Sequence, residues 1–284
     1  MANTIGSRVY RDKYRRTTLD QTLRNAMVSE KIFEVDRSEN KRIQSPYGSK
    51  PTTTVQALTG TYSIANFTLT DDALDVTDEF IVAEHVFDFE ETLTQFDLFA
   101  NRVDEQNYSI ALKVDQWVLN CALEDAVGAY TTPAGGFTTS ANIPVILGAL
   151  AGSLMGYSEI YKGLFLVLEN TDITGLIQYQ MSSGYSYADA ALNNGFMTSI
   201  AGVDIHVVRT GTFVDATVGT KTWTNSGHRL FGVKNVATYA APRGIRFEEK
   251  QVSGKTGVEV VTYCYAGFKL WTTKQDLLVD ITLA

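Results

Sequence analysis

A few stretches of this 284-residue chain carry residue types that could do chemistry. Ser253-Gly254-Lys255-Thr256 ends like a phosphate-binding loop, in which backbone N–H groups cradle phosphates and a lysine reaches the outer ones. The full motif needs a glycine five residues ahead of Gly254, where Glu249 stands, and it must open a helix. Strand-like runs flank it instead, so a hairpin turn is expected. Gly184-Tyr185-Ser186-Tyr187-Ala188 has the outline of a nucleophile elbow with alanine in the last place. No apolar strand leads into Gly184, so a loop is expected even though His206 and His228 follow. His85, His206 and His228 stand in separate segments, none with a second histidine or cysteine two to four residues on, which gives no metal site. The acids of residues 71–78 lack the spacing and glycine of a calcium loop. Adjacent carboxylates such as Glu90-Glu91 are commonplace in a chain with 32 acidic residues and do not mark acid–base work. Cys121 and Cys264 are too few and too far apart for a disulfide framework or a zinc site, and a reducing compartment suffices. No catalytic residue, cofactor or metal is expected, and the chain does not read as an enzyme.

Charge segregation is the feature left over. The formal net charge of −8 argues against a general nucleic-acid binder, which needs a basic face. Within residues 1–26, Arg8, Arg11, Lys13, Arg15 and Arg16 crowd around Asp12, the side-chain balance is +4, and no apolar period runs through. Such a segment builds no core of its own; it is a frayed tail or an arm laid on another chain. Residues 71–91 are its complement, with nine acids and no lysine or arginine. Read as a two-stranded excursion, this stretch needs a partner, because an isolated hairpin is marginal in water. The basic segment matches it in charge. The inter-subunit contacts expected are therefore Arg8, Arg11, Lys13, Arg15 and Arg16 on one side and Asp71, Asp72, Asp75, Asp78 and Glu79 on the other.

The elements that must position these residues follow from periodicity. An apolar fraction of 44% supports a sizeable core, and fourteen Tyr and fourteen Phe against five Pro favour strands. Strands are expected at 32–35, 53–58, 62–69 and 79–89, with a polar, turn-rich stretch over 38–50. Residues 92–127 give the clearest helix, with Phe96, Phe99, Ala100, Val103, Ile110, Val114, Trp117, Val118 and Cys121 at spacings of three and four. The stripe weakens at Gln106 and Asn107, where a bend or a surface crossing is expected, and Gly128 supplies a stop. About 35 residues at 1.5 Å each make a rod of roughly 50 Å. A loop and domain boundary is expected at 128–140, then helices at 144–155 and 172–181 and strands at 163–168, 195–201 and 203–208. A Thr-, Gly- and Ser-rich loop or hairpin follows over 209–228, with strands at 230–233, 245–252, 258–271 and 277–283. The longest apolar stretch, 143–154, is shorter than the roughly 20 residues of a membrane span and contains Pro144, Gly148 and Gly152. No apolar secretory core opens the chain, so a soluble protein made in the cytoplasm is expected.

Taken in order, these segments resemble the HK97-type capsid fold of tailed-phage major capsid proteins, an α+β architecture. The resemblance implies an N-terminal arm at 1–37, an extended hairpin (the E-loop) with flanking peripheral-domain strands at 38–91, and a spine helix at 92–127. It further implies an axial domain at 128–228, returning peripheral-domain strands at 229–265, and a closing axial segment at 266–284. Residues 163–168 and 202–208 resemble strands of the axial domain. The implied function is a structural subunit that assembles with copies of itself, as hexamers and pentamers, into an icosahedral shell around phage double-stranded DNA. Other implied partners are a separate scaffolding protein, since no long charged helical segment precedes the arm, a portal, and a decoration protein. DNA is touched non-specifically at most. The location implied is the virion capsid, assembled in the host cytoplasm. Some relatives join a lysine to an asparagine between subunits; Lys41 and Lys50 fall in the implied E-loop, but no motif marks them. Three other readings stay open: a protein-filled nanocompartment of the same fold, a phage tail component, and an enzyme whose site is not legible.

Overall fold

The computed structural model describes residues 27–49, 53, 55, 60, 66–86, 98–158, 163–182, 199–200, 202–242, 244–251 and 257–284. The chain enters through a one-turn helix, Ser29–Ile32, and the strand β1 (Glu34–Asp36). A strand over 32–35 was the expectation; the turn forms because the Asp115 carboxylate accepts the N–H of Ser29 at 2.7 Å and caps it. Burial of Ile32 and Phe33 fixes the turn against the core. Four short strands follow, β2 (Arg42–Gln44), β3 (Tyr47–Gly48), β4 (Leu69–Thr70) and β5 (Ala73–Asp75), and then β6 (Asp78–Val86). Of the expected strands at 53–58 and 62–69, residues 54, 56–58 and 62–65 lie outside the described residues, and Leu69 begins β4.

The long helix runs Leu98–Glu124. Its expected apolar stripe is the buried one: Ile110, Val114, Trp117, Val118 and Cys121 all face the core. The helix stops four residues before Gly128, and Gly128–Thr131 is a strand, β7, where a loop was expected. Gly128 is needed there for close approach, since a Cβ would come within 2.8 Å of the Leu278 carbonyl oxygen on the paired strand. Two more helices, Ile143–Ser158 and Ile173–Ser182, bracket β8 (Leu164–Glu169), close to expectation. No helix among the described residues is long and apolar enough to cross a membrane.

The remaining strands are β9 (Ser199–Ile200), β10 (Val203–Val208), β11 (Asp215–Val218), β12 (Lys221–Thr224), β13 (His228–Val233), β14 (Ala237–Ala240), β15 (Arg246–Gln251), β16 (Val258–Leu270) and β17 (Leu278–Thr282). They build two main sheets. One runs β1-β14-β16-β15, with β6 on the other side of β16; the second runs β7-β17-β13-β8-β10-β9. β8 sits inside the second sheet, parallel to β10 and antiparallel to β13, and all six of its residues are buried. That two-sided burial is why Leu164–Glu169 is a continuous apolar run rather than an alternating one. Gln251 pairs with Val258, as the hairpin reading of Ser253-Gly254-Lys255-Thr256 requires, although residues 252–256 lie outside the described residues.

The long helix spans both sheets. Its first half lies on β6 and β16, where Arg102 and Gln106 bond Glu84 and Thr262 bonds Gln106. Its last turns, residues 117–123, are buried all round between the sheets. The expected weak point at Gln106 is a node: this amide is only 2% exposed and also donates to the Val260 carbonyl at 3.4 Å. The Glu84 carboxyl is held below the usual carboxylate range, first by the Arg102 guanidinium and then by Gln106. A polar residue in an apolar stripe was therefore a buried contact and not a surface crossing.

Candidate functional site

Two features stand out from the packed body: a ribbon that leaves it, and a cleft within it. The ribbon is made of residues 41–49 and 68–76. Arg42 pairs with Asp75, Ile43 with Leu74, Tyr47 with Thr70 and Gly48 with Leu69, so both short ladders keep one antiparallel register. Ser45 N–H donates to the Asp72 carbonyl between them, while Pro46, with no N–H, splits the ladder in two. Phe67 and Leu69 on the returning limb are 72% and 62% exposed, and the Phe67 ring fills the place a Cβ on Gly48 would take. Among the described residues, nothing covers this apolar surface on the ribbon.

The root of the ribbon is fixed. Leu74 is 1% exposed and plugs into the body beside Gly267, where a Cβ would lie 2.8 Å from the Asp75 carbonyl oxygen. Asp72 accepts the N–H of Thr272 at 2.8 Å and pairs with Lys269 at 3.1 Å. Burial pushes the Asp72 carboxyl up, but Thr272 and Lys269 outweigh it and hold the group below the usual range.

The acidic run does not form a hairpin of its own. Residues 71–75 are the end of the returning limb, and Asp78–Val86 joins β16. Asp72 and Asp78 turn inward, because each finds backbone and hydroxyl donors on the same chain. Asp78 accepts from the N–H of Thr220 at 3.0 Å and from the Thr220 and Thr77 hydroxyls. Asp71, Asp75 and Glu79 are exposed, and Asp75 has only a 3.7 Å contact to Arg42. Arg8, Arg11, Lys13, Arg15 and Arg16 lie outside the described residues, as do Lys50 and Gly184 to Ala188.

No motif marks the buried charge cluster at the end of β8. One oxygen of Glu169 accepts from three successive N–H groups, Gly211 at 3.0 Å, Thr212 at 3.0 Å and Phe213 at 3.2 Å. Its other oxygen takes Arg229 at 3.1 Å, and Arg229 also bonds Asp172 and lies over the Phe213 ring. Arg229 is only 4% exposed, so its charge is balanced by two carboxylates and theirs by the backbone. Sixty positions separate Glu169 from Arg229, and no local spacing marks such a pair.

The histidines do not converge. His228 pairs with Asp280 at 2.8 Å, while the buried Nε2 of His206 has no partner among the described residues. Burial, with Lys234 and Lys31 nearby, lowers the His206 imidazole to about 4. Among the described residues no three His, Cys, Asp or Glu side chains group to hold a metal. Cys121 and Cys264 are both buried free thiols.

The cleft, of about 680 Å³, opens between β6, the long helix and the loop after β10. Ile81 and Phe80 line one wall, Leu112, Lys113 and Gln116 another, and Arg209 to Thr212 the third. Gln116 crosses it, donating to the carbonyls of Gly211 at 3.0 Å and Thr212 at 3.3 Å.

No family model matches the chain, and no curated protein matches it in sequence. Solved structures match it in fold. The capsid structure of the cyanophage P-SCSP1u aligns over 100% of this chain and 99% of its own, at 15% identity and a TM-score of 0.72. A Mycobacterium phage Che8 structure covers 85% and 84% at 14% identity and 0.68. The mature capsid of bacteriophage PhiM1 covers 89% and 85% at 9% identity and 0.67. The architecture is thus the α+β, HK97-like fold of phage capsid proteins. The fold implied by the order of segments is the fold found.

Proposed function

We propose that this chain is the major capsid protein of a tailed phage, a structural subunit that assembles as hexamers and pentamers into an icosahedral shell around double-stranded DNA. The observation that carries this reading is the match of 100% of this chain to 99% of a phage capsid chain. The ribbon supports it: Phe67 and Leu69 are bare on a single subunit and a neighbouring copy would cover them. In this reading residues 1–37 are the arm, 38–91 the E-loop and its flanking strands, 92–127 the spine, and 229–265 the returning strands. Residues 128–228 and 266–284 make the axial domain. The basic arm lies on the exposed acids Asp71, Asp75 and Glu79 of a neighbour; Asp72 and Asp78 contribute to folding instead. Scaffolding, portal and decoration proteins are separate chains, DNA is met only non-specifically by a subunit of charge −8, and assembly takes place in the host cytoplasm.

Negative-stain microscopy of the expressed chain tests the reading. Closed shells are expected; monomers at every concentration would sink it, tubes would favour a tail component, and shells filled with protein would favour a nanocompartment. Neutralising Arg8, Arg11, Lys13, Arg15 and Arg16 together should leave the subunit folded by circular dichroism and impair assembly. Normal assembly of that variant at low and high salt would remove the arm from the contact.

A further inference from the structure

Residues 209–226 form a strap bonded to all three large elements. At its root, Gly211, Thr212 and Phe213 donate to Glu169 of the second sheet. Asn120 of the long helix donates to the Thr212 carbonyl at 2.8 Å, and Asn225 donates back to Asn120 at 3.0 Å. Phe213 and Trp223 are buried, so the root is both packed and bonded. The far end is the β11–β12 turn, where Thr220 meets the first sheet at Asp78. There Asp78, the first residue of β6, accepts the N–H and hydroxyl of Thr220. Gly219 has φ +61°, and a Cβ on it would fall 2.0 Å from the Asp78 carboxylate, so the turn is shaped to this one side chain.

The two sheets are also tied through the long helix and by Asn235, whose N–H donates to the Ile32 carbonyl, while Phe33 makes an apolar contact between them, edge-on to Phe165 of the second sheet at 6.0 Å and to Phe268 of the first at 5.3 Å. Apolar contacts are non-directional and tolerate small rotations, whereas a carboxylate gripping an N–H and a hydroxyl does not. The cleft of about 680 Å³ lies beside the strap's root, between β6 and the loop 209–212, with Gln116 bridging the helix wall to that loop but not to β6. We infer that the Asp78–Thr220 contact is a latch that sets the angle between the two sheets, with the Phe33 contacts as hinge and the cleft as the space through which the angle changes. This rests on the shell reading. In a closed shell built from one chain, that angle sets the curvature each subunit imposes on its neighbours.

The test uses Asp78→Ala and the milder Thr220→Val, which keeps the backbone donor and removes the hydroxyl. Each full-length variant is followed by hydrogen exchange on subunits and by the diameters of assembled particles. The expected result is exchange over residues 215–224 faster by about tenfold or more in Asp78→Ala and less in Thr220→Val, with the exchange of β8 unchanged. Particle diameters should spread in the same order. Exchange unchanged at 215–224 would show that Asp78 does not hold the strap. Faster exchange with shells as uniform as wild type would show that the latch does not set curvature; either result overturns the inference. Complete loss of shells in Asp78→Ala is answered by Thr220→Val, which must then give a broadened distribution for the inference to stand. If the wild-type chain forms no shells, the shell reading fails first, and that outcome is distinct from the others.

Discussion

Glu169→Gln removes one charge and keeps the shape of the side chain. In the native fold one oxygen accepts from Gly211, Thr212 and Phe213, and the other from Arg229. The glutamine oxygen can serve one set or the other, because its second terminus is an amide that only donates. A hydrogen bond to a charged group contributes roughly 1.5–3 kcal/mol and a neutral one roughly 0.5–1.5 kcal/mol. Losing the Arg229 contact and weakening three others therefore comes to about 4 kcal/mol, within the roughly 3–5 kcal/mol typical of breaking one side of a buried ion pair. At about 2 °C per kcal/mol for a large domain, the thermal midpoint should fall by about 8 °C. The measurement is calorimetric unfolding of the purified chain for Glu169→Gln, Arg229→Met and the double variant, so that the coupling is read directly. A fall below about 2 °C, or single-variant losses that simply add, would mean that water already satisfies these groups and that the root of the strap is held by packing alone.

Two further outcomes follow from particular positions. His206 is neutral in the folded chain down to about 4, whereas in the unfolded chain it takes a proton below its ordinary 6.5. The unfolded state then binds more protons, so stability falls as pH drops from 6.5 towards 4. Denaturant midpoints across that window should show a shallower decline in His206→Gln; an equal decline would place the pH sensitivity elsewhere. Glycines offer an internal contrast. Gly148→Ala and Gly152→Ala place a Cβ in open space on a helix and should each raise stability by about 0.5–1 kcal/mol, whereas Gly175→Ala would place one 2.2 Å from the Phe137 carbonyl and should lower it by roughly 1–3 kcal/mol. Midpoints in urea check all three, and Gly175→Ala at wild-type stability would refute the packing described there.

Legibility in the sequence followed the range of the interaction. The long helix was readable because its stripe from Ile110 to Cys121 repeats at short intervals and is the buried face. β8 was readable as an unbroken apolar run, since both its faces are covered. β14 was not: Ala-Thr-Tyr-Ala carries little pattern, and only its place between β1 and β16 makes it a strand. β7 was hidden for the same reason, since its pairing with β17 joins residues about 150 positions apart. Among the acids, composition alone could not separate Asp72 and Asp78 from Asp71 and Asp75. What separates them is Thr272 in one case and Thr220 in the other, both distant in sequence. Glu169, Asp172 and Arg229 were likewise unreadable as a unit, because the three consecutive N–H groups they depend on belong to backbone and leave no trace in residue type.

The rooted ribbon has a geometric consequence. Beyond the clamp at Leu74 and Asp72, four residues per limb at about 3.3 Å each give a lever of about 13 Å. A tilt of about 5° at that clamp moves the last paired residues by about 1.1 Å, more than the spread of good hydrogen-bond lengths. Small misplacements at the clamp are thus magnified where the ribbon ends. Buried residues can in this way decide where an exposed surface they never touch comes to lie, and volume changes at Leu74 would then read out as errors of alignment as well as of stability.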